Sequence, residues 1–200
     1  MPEDKGAGVE RTAAAPGPAS IESDLARVRL LAYLKKMKGN PRTTPLIAPP
    51  LFDIFISGVG ALLGIAAVAF LSLVHGLPML VASFGASAVL VYGVPDGPLS
   101  QPRNVFFGHT ISATAGVLTY SLFGLSWWSA ALGVSLALVM MLITKTTHPP
   151  GGATALVAVL NQAHPIFILT PVAAGAAILV LVGIVVNNVS PNRSYPRYWI

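Results

Sequence analysis

Beyond residue 50 the chain is dominated by six apolar runs separated by short polar joints, at about residues 54–74, 77–94, 104–123, 127–144, 149–163 and 166–189. A straight membrane helix needs about 20 apolar residues, within a working range of roughly 17–25. The first, third, fourth and sixth runs meet that length, the second is marginal and the fifth falls short. The order is long, short, long, stated twice, over residues 54–124 and again over 127–189. The two short members echo one another: Gly85-Ala86-Ser87-Ala88-Val89-Leu90-Val91 reads against Gly152-Ala153-Thr154-Ala155-Leu156-Val157-Ala158. Short, Gly/Pro-interrupted segments at matching places in two halves are the sequence mark of a binding site near the bilayer midplane. The expected fold is therefore all-α: a polytopic helical membrane protein of two long-short-long repeats with glycine-rich short or broken helices.

The preceding residues behave differently. Residues 1–19 are polar and rich in Ala, Gly and Pro, without the apolar run of a secretory signal, and read as a disordered tail. Residues 20–38 read as a helix, with Ser20 as N-cap, Glu22 and Asp24 in the first turn and lysines at the end. Ile21, Leu25, Val28, Leu31 and Leu34 recur at near-helical spacing, so this basic element is expected to be amphipathic and to lie in the membrane interface. Residues 39–50, with four prolines, form a linker; residues 51–190 form the membrane domain, and residues 191–200 a cytoplasmic tail.

Charge sharpens the picture. Only 10% of the 200 residues are charged, and between Ile54 and Ser190 the charged residues are Asp96, Arg103 and Lys145 alone. Soluble domains carry about a quarter charged residues because their surfaces must be hydrated. Lys35, Lys36, Lys38 and Arg42 precede the first run and favour a cytoplasmic N-terminus in a cell inner (plasma) membrane. If both short segments cross, Arg103, Lys145, Arg193 and Arg197 fall on that same side; if both are re-entrant, there are four spans and Arg103 and Lys145 fall outside. The positive-inside rule favours six crossings. The net charge of +5 then reflects topology and anionic lipid rather than nucleic acid. The absence of cysteine excludes disulfides and thiolate chemistry.

The run richest in chemistry is Thr146-Thr147-His148-Pro149-Pro150-Gly151-Gly152-Ala153-Thr154. Prolines suit the first turn of a helix, so a helix is expected to open here with free amides at Gly151 and Gly152, a setting that attracts anions. Thr147 and Thr154 add hydroxyls, and Lys145 and His148 stand within a turn. Ser83, Gly85 and Ser87 in the partner segment would approach from the other half. Arg103 would recruit an anion at the mouth or pair with Asp96. His109, inside the third run, suits proton coupling. Each feature has a plainer counterpart, since glycine and serine in membrane helices most often pack, and a buried histidine is often only hydrogen-bonded. Gly60 and Gly64 form a GxxxG compatible with a homo-oligomer. No phosphate loop, dinucleotide fingerprint or carboxylate cluster is present. No enzyme, metal or cofactor is expected, and the excess of basic and hydroxyl groups points to a small anion.

With these residues in view, the chain resembles the HPP family of integral membrane proteins. Thr147-His148-Pro149-Pro150-Gly151-Gly152-Ala153-Thr154-Ala155, Phe84-Gly85-Ala86-Ser87-Ala88, and Pro98-Leu99-Ser100-Gln101-Pro102-Arg103-Asn104 followed by Gly108-His109 carry the likeness, over roughly residues 45–189. Plastid and cyanobacterial members are described as nitrite transporters, so the resemblance implies nitrite as cargo. The family is usually described as four-spanning, which fits six runs only if the short two are re-entrant. Some members carry a further regulatory domain, which is not visible in this sequence. The expectation is a transporter of nitrite or a similar anion. Its rivals are a passive anion channel, a membrane enzyme using His109 and His148, and a non-transporting structural or sensor protein.

Overall fold

The computed structural model describes residues 18–37, 48–77 and 79–199. Two compact units emerge, residues 1–47 and 48–200, and each is treated by itself. The first is seen as one helix, α1, Pro18–Met37. It begins before Ser20, so Ser20 is not its N-cap, and Glu22 and Asp24 lie beyond its first turn. Leu25, Val28, Leu30, Leu31 and Tyr33 are exposed, and at about 100° per residue they point to every side of the helix. The expected amphipathic stripe is absent. Residues 1–17 of the expected disordered tail and residues 38–47 lie outside the described residues.

The second unit is all helical among its described residues, with α2 (Leu51–Leu73), α3 (Ser83–Ala88) continued by a π-helical turn (Val89–Gly93), α4 (Pro102–Phe123), α5 (Trp127–Ile143), α6 (Pro149–Leu160) and α7 (Ala174–Asn187) preceded by a π-helical stretch (Ile168–Ala173). Helical geometry breaks at Thr170, just before Pro171, where proline removes an amide donor and crowds the preceding turn. The stretches Leu51–Leu73 and Ile168–Asn187 are long and apolar enough to cross a membrane. At 1.5 Å per residue, α6 is about 18 Å long and α3 with its π-turn about 16 Å, roughly half the hydrocarbon thickness.

Alongside an apolar core, polar side chains lie fully buried among the helices while large apolar ones face outward. Ser87, His109, His148 and Thr154 have no exposed surface, whereas Leu62 is 68% and Val185 70% exposed. A water-soluble fold reverses this order; surrounding lipid demands it. Helix α4 packs on α5, α6 and α7; α7 packs on α2 and α3; α2 packs on α3, α5 on α6, and α3 on α6.

Small residues set the closest approach. Gly108, Ser112 and Gly116 recur every fourth residue along α4, and a Cβ at Gly108 would lie 2.5 Å from His148 Cβ. A Cβ at Gly151 would meet Ser112 Oγ at 2.6 Å, and one at Gly116 would overlap the Ala155 carbonyl oxygen. The α4–α6 contact is thus a small-residue seam, as membrane helices use in the absence of a hydrophobic drive between them. Gly60 and Gly64 work the same way, but within the chain: the Tyr92 ring lies across both, and its hydroxyl donates to Leu179 O at 3.0 Å. That glycine pair therefore supplies no argument for a second copy.

The last residues, expected as a cytoplasmic tail, are packed against the bundle. Arg193 reaches α2, donating to Asp53 O (2.7 Å), Ser57 Oγ (2.9 Å) and Tyr92 O (3.0 Å), with its Nε 3.6 Å from Asp53 Oδ1. Ser190 Oγ donates to the same carboxylate at 2.5 Å. Tyr195, whose phenol is raised above its ordinary value by burial and then by Tyr92, stays protonated and donates to Ser100 O at 2.8 Å. Asp96 pairs with Arg197 at 2.6 Å, not with Arg103, which donates to Thr144 O at 3.0 Å.

These bonds gather the start of α2, the end of the π-turn after α3, the start of α4 and the ends of α5 and α7 at one face. His148, at the head of α6, joins them through Leu99 O. At the opposite face Tyr120 meets Gln162 at 3.0 Å. Successive segments therefore alternate in direction.

Candidate functional site

Five of the expected site residues converge at the centre, and both short segments contribute. Helix α3 supplies Ser83 and Ser87, one turn apart and both buried. Helix α6 supplies Thr154 and, at its N-cap, His148. Helix α4, packed on α6, supplies His109. Their contacts form one line: Ser83 Oγ to Thr154 Oγ1 (2.8 Å), Thr154 Oγ1 to His109 Nδ1 (2.7 Å), His109 Nε2 to Ser87 Oγ (2.6 Å), Ser87 Oγ to His148 Nε2 (2.9 Å), and His148 Nδ1 to Leu99 O (2.8 Å). The two imidazoles sit 4.9 Å apart, and the edge of Phe84 closes on His109 at 5.2 Å.

The local sequence explains the placement. Gly108 precedes His109 and lets His148 press against α4. Pro149 and Pro150 fill the first two positions of α6, which fixes His148 as the residue before the helix. Asn104, one turn before Gly108, donates to Thr147 O at 2.9 Å and ties the Thr146–His148 joint to α4.

The other expected residues lie elsewhere. Gly85 is exposed and a Cβ there would meet nothing within 4 Å, so it faces outward rather than into the centre. Gly152 is half-buried beside Val134. Of the free amides expected at Gly151 and Gly152, the first is taken: Pro149 and Pro150 have no N–H, and the Gly151 N–H is 2.8 Å from His148 O. Thr147 lends only its carbonyl to the joint. Arg103 and Lys145 stand at the face where α4 begins and α5 ends; Lys145 is exposed, at φ 55°, a left-handed conformation uncommon outside glycine.

Two features escaped the sequence reading. The Leu99 carbonyl anchors the line of contacts, yet a backbone acceptor has no signature in a sequence. Asp53 and Arg193 form a buried ion pair 140 positions apart; the only hint was an acid in the first turn of an apolar run.

All buried side-chain nitrogen and oxygen atoms among the described residues have partners. Thr154 is central to that balance, because it serves Ser83 and His109 at once. Thr154→Val keeps the shape, deletes the shared hydroxyl and is expected to cost about 1–3 kcal/mol, seen as a lower thermal midpoint in detergent, whereas Thr154→Ser stays close to wild type.

The sequence matches the family described as HPP, transmembrane region, over residues 47–196. It is 37% identical over 191 residues to one Dictyostelium discoideum protein named as a transmembrane protein, covering 86% of this chain and 65% of that one. A second such protein of the same organism is 37% identical over 186 residues, covering 86% of this chain and 59% of its own. The chain thus spans about two thirds or less of the length of these relatives. No solved structure matches.

Proposed function

The chain belongs to the HPP transmembrane family, and from that premise we propose that it is a multi-pass transporter of a small inorganic anion, with nitrite the first candidate. One observation carries the reading: a line of hydroxyls and imidazoles, fully buried within a bundle whose outer surface is apolar, to which both short helices contribute. Polar groups at membrane depth are costly and mark substrate or proton paths. No carboxylate hydrogen-bonds any member of the line among the described residues, so a cation has little to hold it there.

The packing scheme supports the two-repeat reading. Exchanging α2 with α5, α3 with α6 and α4 with α7 turns the packed pair α4–α5 into α7–α2, α4–α6 into α7–α3, and α5–α6 into α2–α3, each of them also packed. The alternation of direction supports six crossings. Arg103 and Lys145 then stand on one side with Arg193 and Arg197, which the positive-inside rule assigns to the cytoplasm. In this reading the anion is held by Ser83, Ser87, Thr154, His109 and His148, while Arg103 and Lys145 draw it to the mouth. Gly85 and the amide of Gly151 drop out as ligands.

The test is nitrite uptake into proteoliposomes. His148→Ala and Ser83→Ala are expected to lower uptake roughly tenfold or more, and Lys145→Ala by a few-fold that fades at high salt. Uptake indifferent to both central substitutions would reject the site. The mutual satisfaction of every polar group in the centre favours a second reading, a non-transporting structural protein. Wild-type protein that moves no small anion would select it.

A further inference from the structure

Donor and acceptor roles in the central line follow from one fixed end. Leu99 O can only accept, so His148 Nδ1 carries a proton. With His148 neutral, its Nε2 accepts, and Ser87 must donate to it. The single Ser87 proton is then spent, so His109 Nε2 donates to Ser87. A neutral His109 must accept at Nδ1, from Thr154. Thr154 in turn accepts from Ser83. Every bond points the same way, and the two rings hold opposite tautomers, Nε2–H at His109 and Nδ1–H at His148.

We propose that this line is a one-proton store whose filling reverses the four bonds between Ser83 and His148 and readies it for an anion, a role that rests on the transport reading above. A proton delivered to Ser83 Oγ sends that hydroxyl's own proton to Thr154, the Thr154 proton to His109 Nδ1, the His109 Nε2 proton to Ser87, and the Ser87 proton to His148 Nε2. Only O–H and N–H bonds form and break. The net change is one proton gained, held as an imidazolium at His148. The Leu99 end is closed, because a carbonyl passes no proton on, so the proton returns by the way it came.

The reversal alters what an incoming solute meets. In the neutral line Ser83 donates to Thr154 and has only lone pairs left for a further partner, which repel an anion. After reversal Thr154 donates to Ser83, whose own O–H is released for a further partner, and a positive charge lies behind it. Both changes favour a negative guest, so anion and proton travel together.

The surroundings leave the two rings to govern this. Helix α3 presents only hydroxyls, α6 only Thr154 and its N-cap His148, and α4 only His109 to the line. Helices α5 and α7 and the stretch Ile168–Ala173 contain no ionisable side chain. Arg103 and Lys145 stand at one face, and Asp53 and Asp96 are bound by Arg193 and Arg197.

The experiment uses proteoliposomes of phosphatidylcholine and phosphatidylglycerol loaded with a pH-sensitive dye and given an inward nitrite gradient, with protein-free vesicles subtracting passive nitrous acid. One proton is expected to enter per nitrite. Ser87→Ala cuts both fluxes roughly tenfold or more, and Ser87→Thr, which keeps the hydroxyl, restores them. Nitrite entry without lumen acidification overturns the store and leaves transport standing. If no nitrite enters, transport falls and the store is judged by nitrogen-15 NMR of the His75→Gln/His164→Gln protein. Opposite tautomers at alkaline pH with one shared titration uphold it there; matching tautomers or two independent titrations overturn it.

Discussion

Replacing Arg193 by alanine is expected to destabilise the bundle by about 3–5 kcal/mol, the range for removing one member of a buried ion pair. The guanidinium and the Asp53 carboxylate are 6% and 7% exposed. Alanine strands the carboxylate beside Ser190 alone and frees the Asp53 and Tyr92 carbonyls from the donor they share. The loss should appear as a large drop in thermal midpoint in detergent and faster proteolysis of the last ten residues. Asp53→Asn/Arg193→Met, which removes both charges, should recover much of it, because the stranded charge rather than the lost attraction dominates the cost. A single mutant as stable as wild type would mean the pair is solvated in the membrane.

That pair also marks where the sequence stopped being legible. Six apolar runs were readable because lipid demands long unbroken apolar stretches, and the helices of the second unit follow them, α2 and α4 starting two or three residues earlier. Convergence of Ser83 and Ser87 with Thr154, His109 and His148 was foreshadowed by the echo between the short runs. The amide at Gly151 was misread as free: Pro149 and Pro150 open the first turn as expected, but His148 O already takes that N–H. Arg193 was legible only as a topology signal, since nothing local links it to Asp53. Gly60 and Gly64 were recognisable as a packing face, but their occupant, Tyr92, is a long-range choice that no helical period encodes. The α1 spacing suggested a stripe that the actual angular positions dissolve. Patterns with a period were legible; pairings across the bundle were not.

The glycines give the sharpest contrast, since one substitution is expected to act with opposite sign at two places. Gly116→Ala should cost about 2–3 kcal/mol or more, because its Cβ would overlap the Ala155 carbonyl oxygen and come within 2.7 Å of Ala158 Cβ. The nearest obstacle is backbone, which no rotamer change moves aside. Relief requires α4 and α6 to separate, and their separation pulls His109 from Thr154, so anion uptake should fall with stability. Gly85→Ala meets open space on an exposed helical position, and the gain in helix propensity of about 0.5–1 kcal/mol should leave the protein as stable as wild type or more so. Uptake by this variant should be unchanged if the outward side of α3 carries no ligand. Paired thermal and uptake measurements on the two proteins decide the point: loss of uptake in Gly85→Ala without loss of stability would return that glycine to the site, and a Gly116→Ala protein of normal stability would mean the α4–α6 seam is looser than its geometry implies.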